Sequence, residues 1–321
     1  MAGRRVTIPD NITRIYAPSP PGYNLVYTLA PQLLCGRAHP YRSDIEKAMT
    51  LPELRDLPVI GSVGGENEQA DLEMLLAIKP DFLLVTSLLG DTDAALEARV
   101  QSALERTGIP YVYVVARDLA DYPAAYRFMG ELLNQRERAE ELAGYIEGAL
   151  ADAGRVVAQV PPEKRPKVYY AEQFDGLSTE NAQSFHTHLL MLAGDVNVHR
   201  KSLSPVTTMG WEKISLEQVI AYNPDFILAF EPMFYQSVYN HPGWKNIKAV
   251  QNKNVLWIPR GPFNWFDRPP GFMGALGLKW LLANFYPAQY PLDVVAEAQG
   301  FYRLFLNYDL TYDEMQRLIY P

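Results

Sequence analysis

"SLEQVIAYNPDFILAF", residues 215–230, repeats a phrase met earlier as "DLEMLLAIKPDFLLVT", residues 71–86. Leu72, Glu73, Ala77, Pro80, Asp81, Phe82 and Leu84 recur as Leu216, Glu217, Ala221, Pro224, Asp225, Phe226 and Leu228. Each copy reads as a helix that runs into a buried strand. Ser215 fits an N-cap with Gln218 three residues on, and Asp71 is the equivalent cap. Each helix must end before its Pro-Asp pair, because the residue before proline disfavours the α region. Glu73 and Glu217 therefore fall in the first turn, where a carboxylate suits the positive end of the helix dipole. In a parallel α/β sheet that end also borders the edge where ligands bind, so a partner could read both glutamates there.

Working outward, the same alternation fills the chain. "RIYAP" (14–18), "PVIGS" (58–62), "DFLLVTS" (81–87) and "YVYVVA" (111–116) read as strands, with helical patterns at 22–31 and 92–107. "KVYYAE" (167–172), "DFILAF" (225–230) and "NVLWIP" (254–259) form a second series. The fold class is α/β: two Rossmann-like lobes, each a mostly parallel sheet flanked by helices. The stretch 123–158 holds no proline after its first residue and is rich in Ala, Leu, Glu and Arg. It predicts one long helix joining a lobe at 1–122 to a lobe at 161–321, with 123–160 as the linker; its glycines weaken that helix somewhat.

Composition narrows the function. At 321 residues the chain suits two domains, and a net charge of −8 (29 basic against 37 acidic residues) argues against nucleic acid as a partner. No apolar run approaches the roughly 18–20 residues that cross a bilayer. Cys35 is the one cysteine, which excludes a disulfide framework and the cluster ligation of metallocluster-type oxidoreductases. P-loop, G-x-S-x-G, H-E-x-x-H and helix-opening G-x-G-x-x-G patterns are absent, so the sequence does not read as an enzyme. His186 and His188 stand two apart in a predicted helix and do not chelate one ion together; with His39, His199 and His241 they assemble no metal set, though either could touch a ligand.

Four segments in order carry a resemblance. "AGRRVTIPDNITRIYAPSPPGYNLVYTLA" (2–30), "NAQSFHTHLLMLAGDVNV" (181–198), "GWEKISLEQVIAYNPDFILA" (210–229) and "WKNIKAVQNKNVLWIP" (244–259) are similar to periplasmic substrate-binding proteins of the ABC importers for iron–siderophore complexes, haem and vitamin B12. The resemblance covers nearly the whole chain. It implies a monomer without cofactor that captures a ligand in a cleft between its lobes. It also implies a membrane permease as partner, whose arginines engage Glu73 and Glu217. Location follows: periplasmic, or extracytoplasmic on a lipoprotein anchor, with a leader preceding Met1.

For the ligand, loops after the strands supply Tyr23, Gly64, Gly65, Ser87, Tyr170, Trp211, Phe230, Arg260, Phe263 and Trp265. Their aromatics suit a large planar chelate, and Arg260 suits an anion. An iron–siderophore or other metal chelate is the first expectation. "GPFNWFDRPPGFMGALGLKWL" (261–281) also resembles a metal-uptake branch with a molybdate or tungstate receptor, which makes an oxoanion the second; corrinoid or haem follows.

Overall fold

In the computed structural model, which describes residues 5–62, 70–86, 94–202, 211–268 and 270–319, the two copies of the phrase fold alike. The first unit runs β1 (Ile15–Tyr16), α1 (Pro20–Leu29), α2 (Asp44–Met49), α3 (Leu72–Ile78), β2 (Phe82–Thr86), α4 (Ala94–Thr107) and β3 (Tyr111–Val114), then α5 (Tyr122–Leu132) and the start of α6 (Arg136–Ala158). The second carries β4 (Val168–Ala171), β5 (Ser178–Thr179), α7 (His188–Leu192), β6 (Glu212–Lys213), α8 (Leu216–Tyr222), β7 (Phe226–Ala229), α9 (Pro232–Ser237), α10 (Lys248–Gln251) and β8 (Val255–Trp257). After these come α11 (Gly274–Phe285), α12 (Val294–Leu306) and α13 (Tyr312–Ile319). No described helix is long and apolar enough to cross a membrane.

Both principal sheets are parallel, in the orders β1-β2-β3 and β4-β7-β8; β5 and β6 form a small antiparallel ribbon. All five residues of β2 are buried, as a parallel strand covered on both faces requires. The repeat explains the local geometry. The Asp71 and Ser215 side chains accept the amides of Met74 and Gln218, which caps α3 and α8. Lys79 and Asn223 then turn the chain through the left-handed region, at φ 53° and 44°. Leu75 and Val219 occupy the same register position, each fully buried in its own unit's core.

The repeated aspartate has a structural task. Asp81 Oδ2 accepts the amides of Thr13 and Arg14 at 2.6 and 2.8 Å, which holds the entry to β1. Asp225 accepts the Lys167 amide at 2.8 Å before β4 and also pairs with Lys248 at 2.5 Å. Partial burial raises both carboxyls, but these donors outweigh it and hold them below the usual range.

The single helix predicted over 123–158 is two helices. α5 stops at Leu132, Asn134 adopts φ 54°, and α6 starts at Arg136. Gly130 makes the close turn possible: a Cβ there would lie 2.4 Å from that of Ala139. The chain groups into Met1–Glu147 with Phe301–Asp309, and Gly148–Gly300 with Leu310–Pro321. The division thus falls inside α6. The returning segment belongs with the first unit, where Phe305 meets Tyr126 and Tyr145 edge-on at 6.3 and 5.5 Å.

Candidate ligand site

Parallel strands share one carboxyl edge, and in the second unit that edge gathers charge. β4 delivers Glu172, β7 delivers Phe230, and the segment after β8 delivers Arg260 and then Asp267 and Arg268. The Arg260 guanidinium lies 3.9 Å from the Phe230 ring centre and 4.9 Å from that of Trp257. Stacking of this kind orients the planar fork while leaving its donors in plane. Arg268 approaches Phe230 at 5.6 Å. It is held by Glu172 Oε1 at 2.6 Å and Glu180 Oε1 at 2.7 Å, with Asp267 at 3.4 Å.

Three carboxyls therefore share one guanidinium. Glu180 also takes the Ser184 hydroxyl. Asp267 takes the Tyr170 hydroxyl, 3.0 Å from each of its oxygens. His186 Nδ1 lies 3.0 Å from Asp267 Oδ2, a close contact rather than an aligned hydrogen bond. His186 Nε2 faces Arg268 Nη1 at 3.3 Å. Because Arg268 only donates, that nitrogen accepts and the ring proton sits on Nδ1. Burial pushes the Glu172 carboxyl up to about 7; Arg268 pulls it down, while Asp267 and Glu180 add to the rise.

The edge of the first unit is less charged. Ser19 and Thr86, both buried, share a hydrogen bond at 3.0 Å where β1 and β2 end. Tyr23 is half-buried on α1, 5.9 Å from the Tyr27 ring. Burial, then Tyr41 and Tyr27, keeps the Tyr23 hydroxyl protonated against the pull of Arg37. Arg37 stacks on Tyr41 at 3.7 Å, and His39 meets Ser62 at 3.3 Å.

The expected residues separate into three groups. Phe230 and Arg260 meet at the second unit's edge, and Phe263 is half-buried beside Phe272 at 5.9 Å. Tyr170 and Trp265, expected to wall a ligand, are fully buried instead. Tyr170 holds Asp267 from beneath. Trp265 packs in the core, with its carbonyl against α11: a Cβ on Gly277 would lie 1.9 Å from that oxygen. The Tyr170 ring packs inside the unit beside Phe266 at 5.0 Å. Trp211 is 51% exposed before β6. Gly64, Gly65 and Ser87 lie outside the described residues. Glu73 and Glu217 are both exposed in the first turns of α3 and α8.

Sequence reasoning missed Glu172, Glu180, Asp267 and Arg268. The aromatics after the strands are conspicuous in the sequence, whereas these charged residues are not. The ion pair joins residues 96 and 88 positions apart, a pairing no local pattern announces. Among the described residues no group of three or more His, Cys, Asp or Glu could hold a metal ion.

A two-unit α/β fold with a charged, aromatic carboxyl edge defines a ligand-binding class. The model of the periplasmic binding protein family matches residues 33–260. The molybdate-binding protein MolA of Haemophilus influenzae is 25% identical over 94% of this chain and 88% of its own. A vitamin B12-binding protein of Pectobacterium atrosepticum is 28% identical over 55% of this chain and 59% of its own. Among solved structures, an ABC transporter solute binding protein from Sulfurospirillum deleyianum superposes with a TM-score of 0.89 at 34% identity, covering 99% and 97% of the two chains. The chain belongs to the periplasmic binding protein family.

Proposed function

We propose that this protein is the extracytoplasmic solute-binding component of an ABC importer and that its solute is a small oxoanion of the molybdate or tungstate type. One observation carries the reading. The Arg260 guanidinium lies over the Phe230 and Trp257 rings, 3.9 and 4.9 Å from their centres, at the carboxyl edge of its sheet. Such a group supplies paired charge-assisted hydrogen bonds to neighbouring oxygens of an anion. The similarity to the molybdate-binding relative, which spans most of both chains, supports the same solute.

A metal chelate, the first expectation from the sequence, becomes the second reading. Two of the aromatics that suggested it, Tyr170 and Trp265, are inside the unit. Exposed Trp211 and half-buried Phe230 and Phe263 still favour it. The importer's membrane component is the proposed partner, reading the exposed Glu73 and Glu217 on α3 and α8.

A thermal-shift panel of molybdate, tungstate, sulfate, a ferric siderophore, haem and cobalamin tests the assignment. A solute at 100 times its Kd adds about 2.7 kcal/mol of stability. Stabilisation by molybdate or tungstate is the expected result. Stabilisation by a chelate and not by either oxoanion overturns it.

A further inference from the structure

Three carboxyls beside one guanidinium would repel an anion unless one of them holds a proton. The hydrogen bonds single out which. Glu180 has Arg268 on one oxygen and Ser184 on the other. Asp267 has the Tyr170 hydroxyl across both oxygens and His186 against Oδ2. Glu172 has Arg268 on Oε1, at 2.6 and 3.2 Å, but its Oε2 is buried with no hydrogen-bond partner among the described residues. The residue is 2% exposed. An ionised oxygen so placed is costly to bury, whereas a hydroxyl there is a donor ready for an acceptor.

A second buried donor is in the same condition. Asn264 Oδ1 accepts the amides of Phe266 and Asp267 at 2.6 and 3.1 Å, which fixes the orientation of its amide. Its Nδ2 is then left buried without a hydrogen-bond partner among the described residues. Asn264 pairs with Arg260 across an antiparallel bridge, so this donor stands next to the stacked guanidinium in the fold.

We infer that Glu172 is the protonated member of the carboxyl cluster, and that its Oε2–H and the Asn264 amide donate hydrogen bonds to the oxygens of an anionic ligand. Capture of the anion is thereby coupled to the proton on Glu172 and weakens as that proton is lost. The inference rests on the oxoanion reading for the identity of the acceptor, but not for the placement of the proton. The groups facing Glu172 are Tyr169 and Tyr170 on β4, Glu180 after β5, and Asp267 and Arg268 after β8; His186, in the turn before α7, faces Arg268 and Asp267 rather than Glu172. The rise of the Glu172 carboxyl to about 7, caused first by burial, fits this assignment.

Two measurements test it. In the ligand-free protein, infrared difference spectra between pH 6 and pH 8.5 should show the carbonyl band of a protonated carboxyl that disappears at the higher pH and is missing in Glu172→Gln. Calorimetric titration with dilute molybdate, which stays a dianion over this range, should show affinity falling about 30-fold between the two pH values, as the competent fraction falls. In Glu172→Gln that ratio should collapse to within about threefold. No such band in the wild-type protein overturns the proposal whatever binds. A band with pH-independent molybdate affinity overturns the donor role. A band with no molybdate binding at either pH overturns the oxoanion reading and leaves the proton where it is assigned.

Discussion

Arg260 stands on a face of Phe230, and that contact sets what its removal should cost. Arg260→Ala deletes charge-assisted hydrogen bonds worth roughly 1.5–3 kcal/mol, so molybdate affinity measured by calorimetry should fall at least about tenfold. Unchanged affinity would make the stack structural. Glu172 makes a separate prediction about stability. Its carboxyl is raised in the fold from an ordinary 4.5 to about 7, so the folded state binds the proton more tightly. That contribution is fully present below about 4.5 and is lost as pH rises through 7, on the order of 3 kcal/mol. Urea unfolding at pH 5 and 8.5 should show the loss in the wild type and not in Glu172→Gln. Asp81 and Asp225 act oppositely: their depressed carboxyls stabilise above the ordinary carboxylate range and are lost only as pH falls below it. At this scale the sequence was half legible. The edge position of Arg260 was legible because a residue that closely follows a strand emerges at its carboxyl end. Arg268 could not, because its meaning comes from acids brought to it by other strands.

At the scale of elements, the repeated phrase was read correctly in detail because everything that shapes it is local. A cap, an apolar position one turn on, and a Pro-Asp stop lie within eleven residues. The break between α5 and α6 was missed, since it depends on Asn134 taking a left-handed turn and on Gly130 admitting Ala139. Neither shows as an interruption in an Ala- and Leu-rich run. Replacing Asn134 with a β-branched residue should therefore cost about 1–2 kcal/mol, whereas Asn134→Gly should be neutral or better; chemical denaturation reads the difference. Gly277 is the stricter case. A methyl group at that position meets the Trp265 carbonyl, part of the segment that carries Arg260 to the site. Gly277→Ala should cost about 1–3 kcal/mol or more, and should weaken ligand binding as well, because α11 and the 259–268 segment must part. Wild-type affinity in a destabilised Gly277→Ala protein would show that the segment is not positioned through this contact.

At the scale of the whole molecule, two units built on one plan each present a glutamate on a short capped helix. Glu73→Lys with Glu217→Lys should leave molybdate affinity and melting temperature nearly unchanged, because both side chains are exposed in the first turns of their helices. Uptake in cells, or stimulation of the importer's ATP hydrolysis, should be lost. Normal transport by the double variant would reduce the repeat to shared ancestry. The most direct test of the account is calorimetric titration of the ligand-free protein with molybdate at pH 6, alongside Arg260→Ala. The account predicts saturable one-to-one binding that Arg260→Ala weakens at least about tenfold. No saturable heat with molybdate or tungstate, together with one-to-one binding of a ferric siderophore, would contradict it.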